Sequence, residues 1–141
     1  MAQIKRFGYG LQAMLVMTSH NKLHSSSEIA KLIQYEKTQL RKILSLLVEA
    51  QLVSVQQGRG GGYYMTKNSK DISLFAIYNA VNPGQQPEWH RLLATTGENY
   101  FGQQVNESFE EITSELSLAI KAILTKYTLH DLLQDRSLIN M

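Results

Sequence analysis

Apolar residues at spacings of three and four mark the first 50 residues as helical. Ile4, Phe7, Leu11, Met14, Leu15 and Thr18 predict an amphipathic helix over residues 4–19 with one buried stripe. Ser25-Ser26-Ser27-Glu28 reads as a helix start, a serine capping free N–H groups and an acid in the first turn. Ile29, Ala30, Leu32 and Ile33 give that short helix its apolar side. Gln34-Tyr35-Glu36 is read as a turn with Tyr35 tucked inward, and a third helix follows from about Lys37 to Ala50, with Leu40, Ile43, Leu44, Leu47 and Val48 as its buried stripe. The period then changes from helical to alternating. Leu52-Val53-Ser54-Val55 predicts a strand, Gln56 to Gly62 a turn, and Tyr63-Tyr64-Met65 the returning strand. Ser73 caps a further helix, Leu74 to Val81, which Asn82-Pro83-Gly84 stops.

A long helix is predicted from Glu98 to Tyr127, and a short one from Leu129 to about Gln134 with Thr128 as its cap. In the long helix Val105, Phe109, Ile112, Leu116, Ala119, Ile123 and Tyr127 recur at alternating steps of four and three, widened by Leu118, Ile120 and Leu124. Such a stripe packs helix on helix, and it is longer than one small domain can cover, so a second subunit is its expected partner. The fold class is mainly α: a winged helix-turn-helix, meaning helices plus a two-stranded β wing, carrying a long C-terminal dimerisation helix. Residues 1–82 are expected to form the DNA-binding part, 83–97 a linker containing Trp89 and His90, and 98–141 the dimerisation helix with the terminal short helix.

Charge sharpens this division. Residues 1–70 hold ten Lys/Arg against three Glu, a net of +7, whereas residues 71–141 hold four against nine Asp/Glu, a net of −5. One half is thus suited to a polyanion and the other is not. On the third helix Lys37, Thr38, Gln39, Arg41 and Lys42 lie near the N-terminus, the part of a recognition helix that reaches base edges; taken alone they equally fit a solvated face. Lys5 and Arg6 stand at a helix N-terminus, where cations oppose the helix dipole, and either a phosphate neighbour or plain solvent exposure accounts for them. Ser27 joins the candidate DNA contacts, as do Gln57, Arg59 and Gly60 on the glycine-rich tip Gly58-Arg59-Gly60-Gly61-Gly62, and Lys67 beyond it.

Other chemistries find little support. A phosphate-binding loop needs G-x-x-x-x-G-K-[ST] leading into a helix, and here the next element is strand-like. There is no cysteine, so disulfides, thiolate metal sites and cysteine-held clusters are excluded. His20, His24, His90 and His130 show no metal-ligand spacing, His20 and His24 being expected at the surface of a loop; Glu107, Glu110, Glu111 and Glu115 read as a solvated acidic face. No catalytic constellation, cofactor or metal is expected. No apolar run nears the roughly 20 residues that span a bilayer, and the start reads as an amphipathic helix without a signal-peptide cleavage site, which predicts a cytoplasmic protein.

The segments SSEIAKLIQYEKTQLRKILSLLVEAQLV, GRGGGYY and DISLFAIYNAV, with FGYGLQAML in the first helix and the terminal TLHDLL, resemble the Rrf2 family of bacterial transcription regulators over the whole chain. The resemblance implies a homodimer, formed through the long helix, that binds a palindromic operator in double-stranded DNA, most simply as a repressor. Its best-known members hold an iron–sulfur cluster through three cysteines ahead of the long helix; none is present here, and the resemblance is to a cysteine-poor branch, with its effector unnamed. Members usually carry an arginine directly before the first wing glycine, where this chain has Gln57; Arg59 is the arginine that would enter the minor groove. Gln39 and Arg41 stand where some cluster-bearing members have Tyr and Glu, implying a different operator. A winged-helix protein-interaction module without DNA function is the rival expectation, disfavoured by the basic N-terminal half.

Overall fold

The computed structural model describes residues 2–20, 22–85 and 99–133. Its helices are α1 (Ala2–Ser19), α2 (Ser26–Ile33), α3 (Lys37–Glu49), α4 (Leu74–Val81), α5 (Tyr100–Lys126) and α6 (Leu129–Leu132). Strands β1 (Val53–Gln56) and β2 (Gly62–Met65) pair antiparallel, Val53 opposite Met65 and Gln56 opposite Gly62. This is the expected order, helix-turn-helix followed by a hairpin, with a 3-10 turn at Ser69–Asp71 before α4. Among the described residues no helix is long and apolar enough to cross a membrane. Most of the 83–97 linker, with Trp89 and His90, lies outside the described residues.

The core sits where α1, α3 and α4 converge on α2 and the hairpin. Met14, Met17, Ile29, Leu40, Leu44, Leu47, Ile77 and Leu129 are sealed within it. Removing apolar side chains of this size from water supplies the main driving force, about 1.5–3 kcal/mol each. The expected α1 stripe holds from Phe7 on: Met14 is buried, and Phe7, Leu11 and Leu15 pack against the core. Ile4 departs from it at 55% exposed, and Gln3, Gly10, Ala13 and Met17 are buried besides. Gly10 allows a close approach: a Cβ there would sit 3.2 Å from Val81 Cγ1, so α1 presses its glycine edge on α4. In α2, Leu32 is likewise exposed, because this one-sided helix buries Ser26, Ile29 and Ala30. Tyr35 is half-buried and stacks on Tyr9 with ring centroids 3.6 Å apart.

His24 corrects the expectation of a solvent-exposed loop histidine. It is buried, and its backbone forms a bridge to the wing, its N–H donating to Tyr63 O (3.0 Å) and its carbonyl accepting from Tyr63 N (2.7 Å). Nδ1 lies 3.0 Å from Lys22 O, which requires it to carry the proton. Nε2 has no hydrogen-bond partner and faces Glu28 Oε2 at 3.7 Å, a carboxylate also reached by Lys22.

The long helix is bolted to the rest at its C-terminal end. Leu74 N donates to Tyr127 O and Leu129 N to Ile72 O, each 2.9 Å, closing a bridge between Ser73 and Thr128. Leu129 then enters the core and Asp131 completes the capping box with Thr128. Along α5 itself the 4-3 stripe stays uncovered: Ile112 is 50%, Leu116 42% and Ile123 55% exposed. Leu118, expected to widen that stripe, is more open still.

Candidate nucleic-acid interface

The turn between α2 and α3 sets the angle of the two helices through local chemistry. Gln34 adopts the left-handed conformation (φ 56°, ψ 49°) and ends α2. Two residues later Glu36 opens α3, its carboxylate accepting from Thr38 N (3.0 Å) and Gln39 N (2.8 Å). Those two backbone donors hold the Glu36 carboxyl below its usual range. An acid at the helix N-terminus also suits the dipole. With the caps satisfied by Glu36, the side chains of Lys37, Thr38, Gln39, Arg41 and Lys42 are left exposed on the N-terminal half of α3.

Arg41 is not free to wander. Its Nε donates to Ser26 Oγ at 3.3 Å, tying α3 to the start of α2 while the residue stays exposed. Ser25, rather than Ser26 or Ser27, caps α2, accepting from Glu28 N at 3.1 Å; Ser27 is exposed. The segment from His24 to Ser26 therefore holds two things at once, the wing through its backbone and Arg41 through a hydroxyl. Neither role had a signature in the sequence, since both arise from residues far apart in the chain.

The wing tip depends on glycine at specific positions. Gly58 (φ 89°) and Gly60 (φ 77°) occupy the left-handed half of conformational space, and Gly61 N donates to Gly58 O at 3.1 Å. Gly62 is needed for a different reason: a Cβ there would lie 2.7 Å from His24 O, inside the bridge. Gln57, Arg59 and Gly60 are all exposed on this tip.

The remaining candidates separate. Arg6 serves the protein itself. Its Nε donates to Val81 O and Asn82 Oδ1, both 3.1 Å, and its Nη2 to Asn82 Oδ1 (2.8 Å) and Gln85 Oε1 (2.9 Å). A cation that opposes the dipole of α1 thereby sits at the C-terminal end of α4, where the dipole favours it. Lys5 is exposed on the same edge. Lys67 lies beside Glu49 and Ala50, the far end of α3 from Lys37, about 18 Å away at 1.5 Å per residue.

A helix-turn-helix with an exposed polar and basic N-terminal turn on its second helix, flanked by a glycine-tipped hairpin, defines a winged-helix DNA-binding regulator. The sequence matches the Rrf2 family, described as an iron-dependent transcriptional regulator, over residues 4–135, and the chain belongs to that family. It is thus a DNA-binding transcription regulator rather than an enzyme.

Its fold is similar to several solved structures. A putative transcriptional regulator from Lactobacillus plantarum superposes with a TM-score of 0.75 at 18% identity, covering 94% of this chain and 89% of that one. T. potens IscR gives 0.67 at 22% identity, covering 96% and 88%. Staphylococcus aureus CymR gives 0.65 at 20% identity, covering 92% and 96%. No curated protein matches the sequence. The chain has no cysteine, so it lacks the thiolates that would hold an iron–sulfur cluster. Among the described residues, moreover, no three His, Asp or Glu side chains group to hold a metal.

Proposed function

We propose that this regulator binds a palindromic operator as a homodimer and represses transcription in the cytoplasm. Residues 1–82 act as the reading head and 98–141 as the dimerisation element. The observation that carries the reading is the outward N-terminal half of α3, with Gln39 exposed and Arg41 oriented by Ser26. Gln39 and Arg41 read bases, glutamine matching adenine and arginine guanine, each worth about 1–3 kcal/mol of discrimination. Lys37, Thr38, Ser27, Lys5 and Lys42 contact phosphates and fix the register. Arg59, Gln57 and Gly60 bring the wing to the minor groove, where narrow A·T tracts attract a guanidinium. Arg6 and Lys67 fall outside the contact, the first held on α4 and the second at the wrong end of α3.

Val105, Phe109, Ile112, Leu116, Ala119, Ile123 and Tyr127 form the interface between subunits. The support for a second copy as their cover is the 4-3 spacing together with exposure in the single chain. Selection of bound sequences from random duplexes tests the whole reading. A palindrome with half-sites about 10–10.5 bp apart is expected, and Arg41→Ala should lose preference at one position per half-site. No enrichment of any sequence at low salt overturns it.

A further inference from the structure

A cleft separates the α1 N-terminus from the flank of α3 and the end of α4, with a volume of about 650 Å³. That is within the usual range for small-molecule sites, about 300–1,000 Å³. Its apolar side is Leu46 and Pro83, with the buried Ile43 and Val81 behind them. Its rim is cationic. Lys5 and Lys42 line it with no ion pair among the described residues, and Arg6 is fixed there by four hydrogen bonds that use Nε and Nη2 and leave Nη1. Gln39 adds an amide. The one acid on the rim, Glu36, accepts from Thr38 N and Gln39 N and keeps its charge, which Lys42 partly offsets, so the three cations leave the rim net positive.

From this combination we infer that the cleft binds a small organic anion, a carboxylate or phosphate monoester with an apolar body. The head group lies between Arg6, Lys5 and Lys42, and the body rests on Leu46 and Pro83. A DNA backbone alone does not call for the apolar floor, because a sugar-phosphate strand needs only the cations. Lys5, Lys42 and Gln39 also belong to the operator contact proposed above, so an occupied cleft would weaken DNA binding. That consequence rests on the operator reading; the binding site itself does not.

The test is a chemical-shift titration of the full-length 15N-labelled protein, without DNA, using phenyl phosphate and benzoate, with benzyl alcohol as the neutral control. Saturable shifts are expected at Lys5, Gln39, Lys42, Leu46 and Val81 for at least one anion and not for the alcohol. Lys5→Gln and Lys42→Gln should each weaken binding about tenfold, the worth of a charge-assisted hydrogen bond. Leu46→Trp, which fills the floor, should abolish it while the fold persists by circular dichroism. If neither anion gives saturable shifts there, or if the variants bind as wild type does, the inference is wrong. It is equally overturned if those amides shift alike with benzyl alcohol and with the anions. Absence of operator enrichment would count against the operator reading alone, since the titration contains no DNA.

Discussion

Gly62→Ala perturbs one atom and tests how the wing is held. The new Cβ would sit 2.7 Å from His24 O, 2.8 Å from His24 C and 3.0 Å from His24 N, all backbone atoms that cannot rotate away. Relief requires β2 to move off the loop, and that costs the paired bonds between His24 and Tyr63, at 2.7 and 3.0 Å. Two backbone hydrogen bonds are worth about 1–3 kcal/mol together. Holding alanine at the φ of 155° seen for Gly62 adds strain of about 1–3 kcal/mol. Against this, alanine restricts the unfolded chain and returns about 0.4–1 kcal/mol. The steric and hydrogen-bond losses win, leaving a destabilisation of about 1–5 kcal/mol, or a fall in Tm of about 3–20 °C for a chain of this size. Thermal unfolding by circular dichroism measures the total, and hydrogen exchange at Tyr63 N–H localises it. A variant that melts within about 2 °C of wild type with Tyr63 still protected would refute the account. Gly58→Ala is the control: it shares a positive φ, of 89°, but meets nothing within 4 Å, so its Tyr63 protection should survive.

Glu36→Gln should destabilise the protein at neutral pH, and the gap should close in acid. The folded carboxyl is held below its ordinary value by the Thr38 and Gln39 N–H groups, so the stability it lends is present above the ordinary carboxylate range and lost as pH falls through the lowered value; denaturant midpoints at stepped pH check this, and a gap that widens on acidification contradicts it. Arg6→Ala should cost about 1.5–3 kcal/mol by urea unfolding through its bonds to Val81 O and Asn82 Oδ1, while leaving the salt dependence of DNA binding as in wild type. Lys42→Ala should do the reverse, lowering the salt slope by about 1 with little change in Tm. Leu116→Glu, placed on the uncovered stripe of α5, should shift sedimentation from dimer to monomer, and an unchanged sedimentation coefficient would mean that another surface joins the subunits.

The sequence revealed elements better than it revealed directions. Helix starts were legible because capping is local: Ser73 does accept from Ala76 N and Thr128 does open α6. The 4-3 stripe of α5 was legible because periodicity survives without knowledge of the partner. Only the first turn of α1 was misjudged, because hydropathy ranks Ile4 above Gln3, yet Gln3 is buried and bonded, its Oε1 accepting from Tyr78 and its carbonyl from Asn82. Tertiary pairing of polar groups overrode the apolar pattern there. His24 was misjudged for the same kind of reason, since its burial comes from a strand more than 35 positions later. For Arg6, the helix dipole correctly flagged an ill-placed cation; what it could not supply was the second helix end that uses it.

These long-range bonds also determine how rigidly a dimer would present two reading heads. Arg6 and Asn82 lock the α1 N-terminus to the end of α4, and Tyr78 and Gln3 repeat the lock one turn away. At the other end of α4, Ser73 pairs with Thr128, immediately beyond α5. The short helix α4 thus has one end tied to the head and the other to the root of the long helix. Its eight residues span about 12 Å at 1.5 Å per residue, too short to bend without breaking one of the two ties. In the proposed dimer, a rotation of α5 against its partner would therefore reach α3 as a rigid movement of the whole head rather than fade into flexing. The cleft opens where the first tie meets the flank of α3, with Arg6 belonging to both. A ligand that pulls on Arg6 there acts on the tie between α1 and α4 as well as on Lys42.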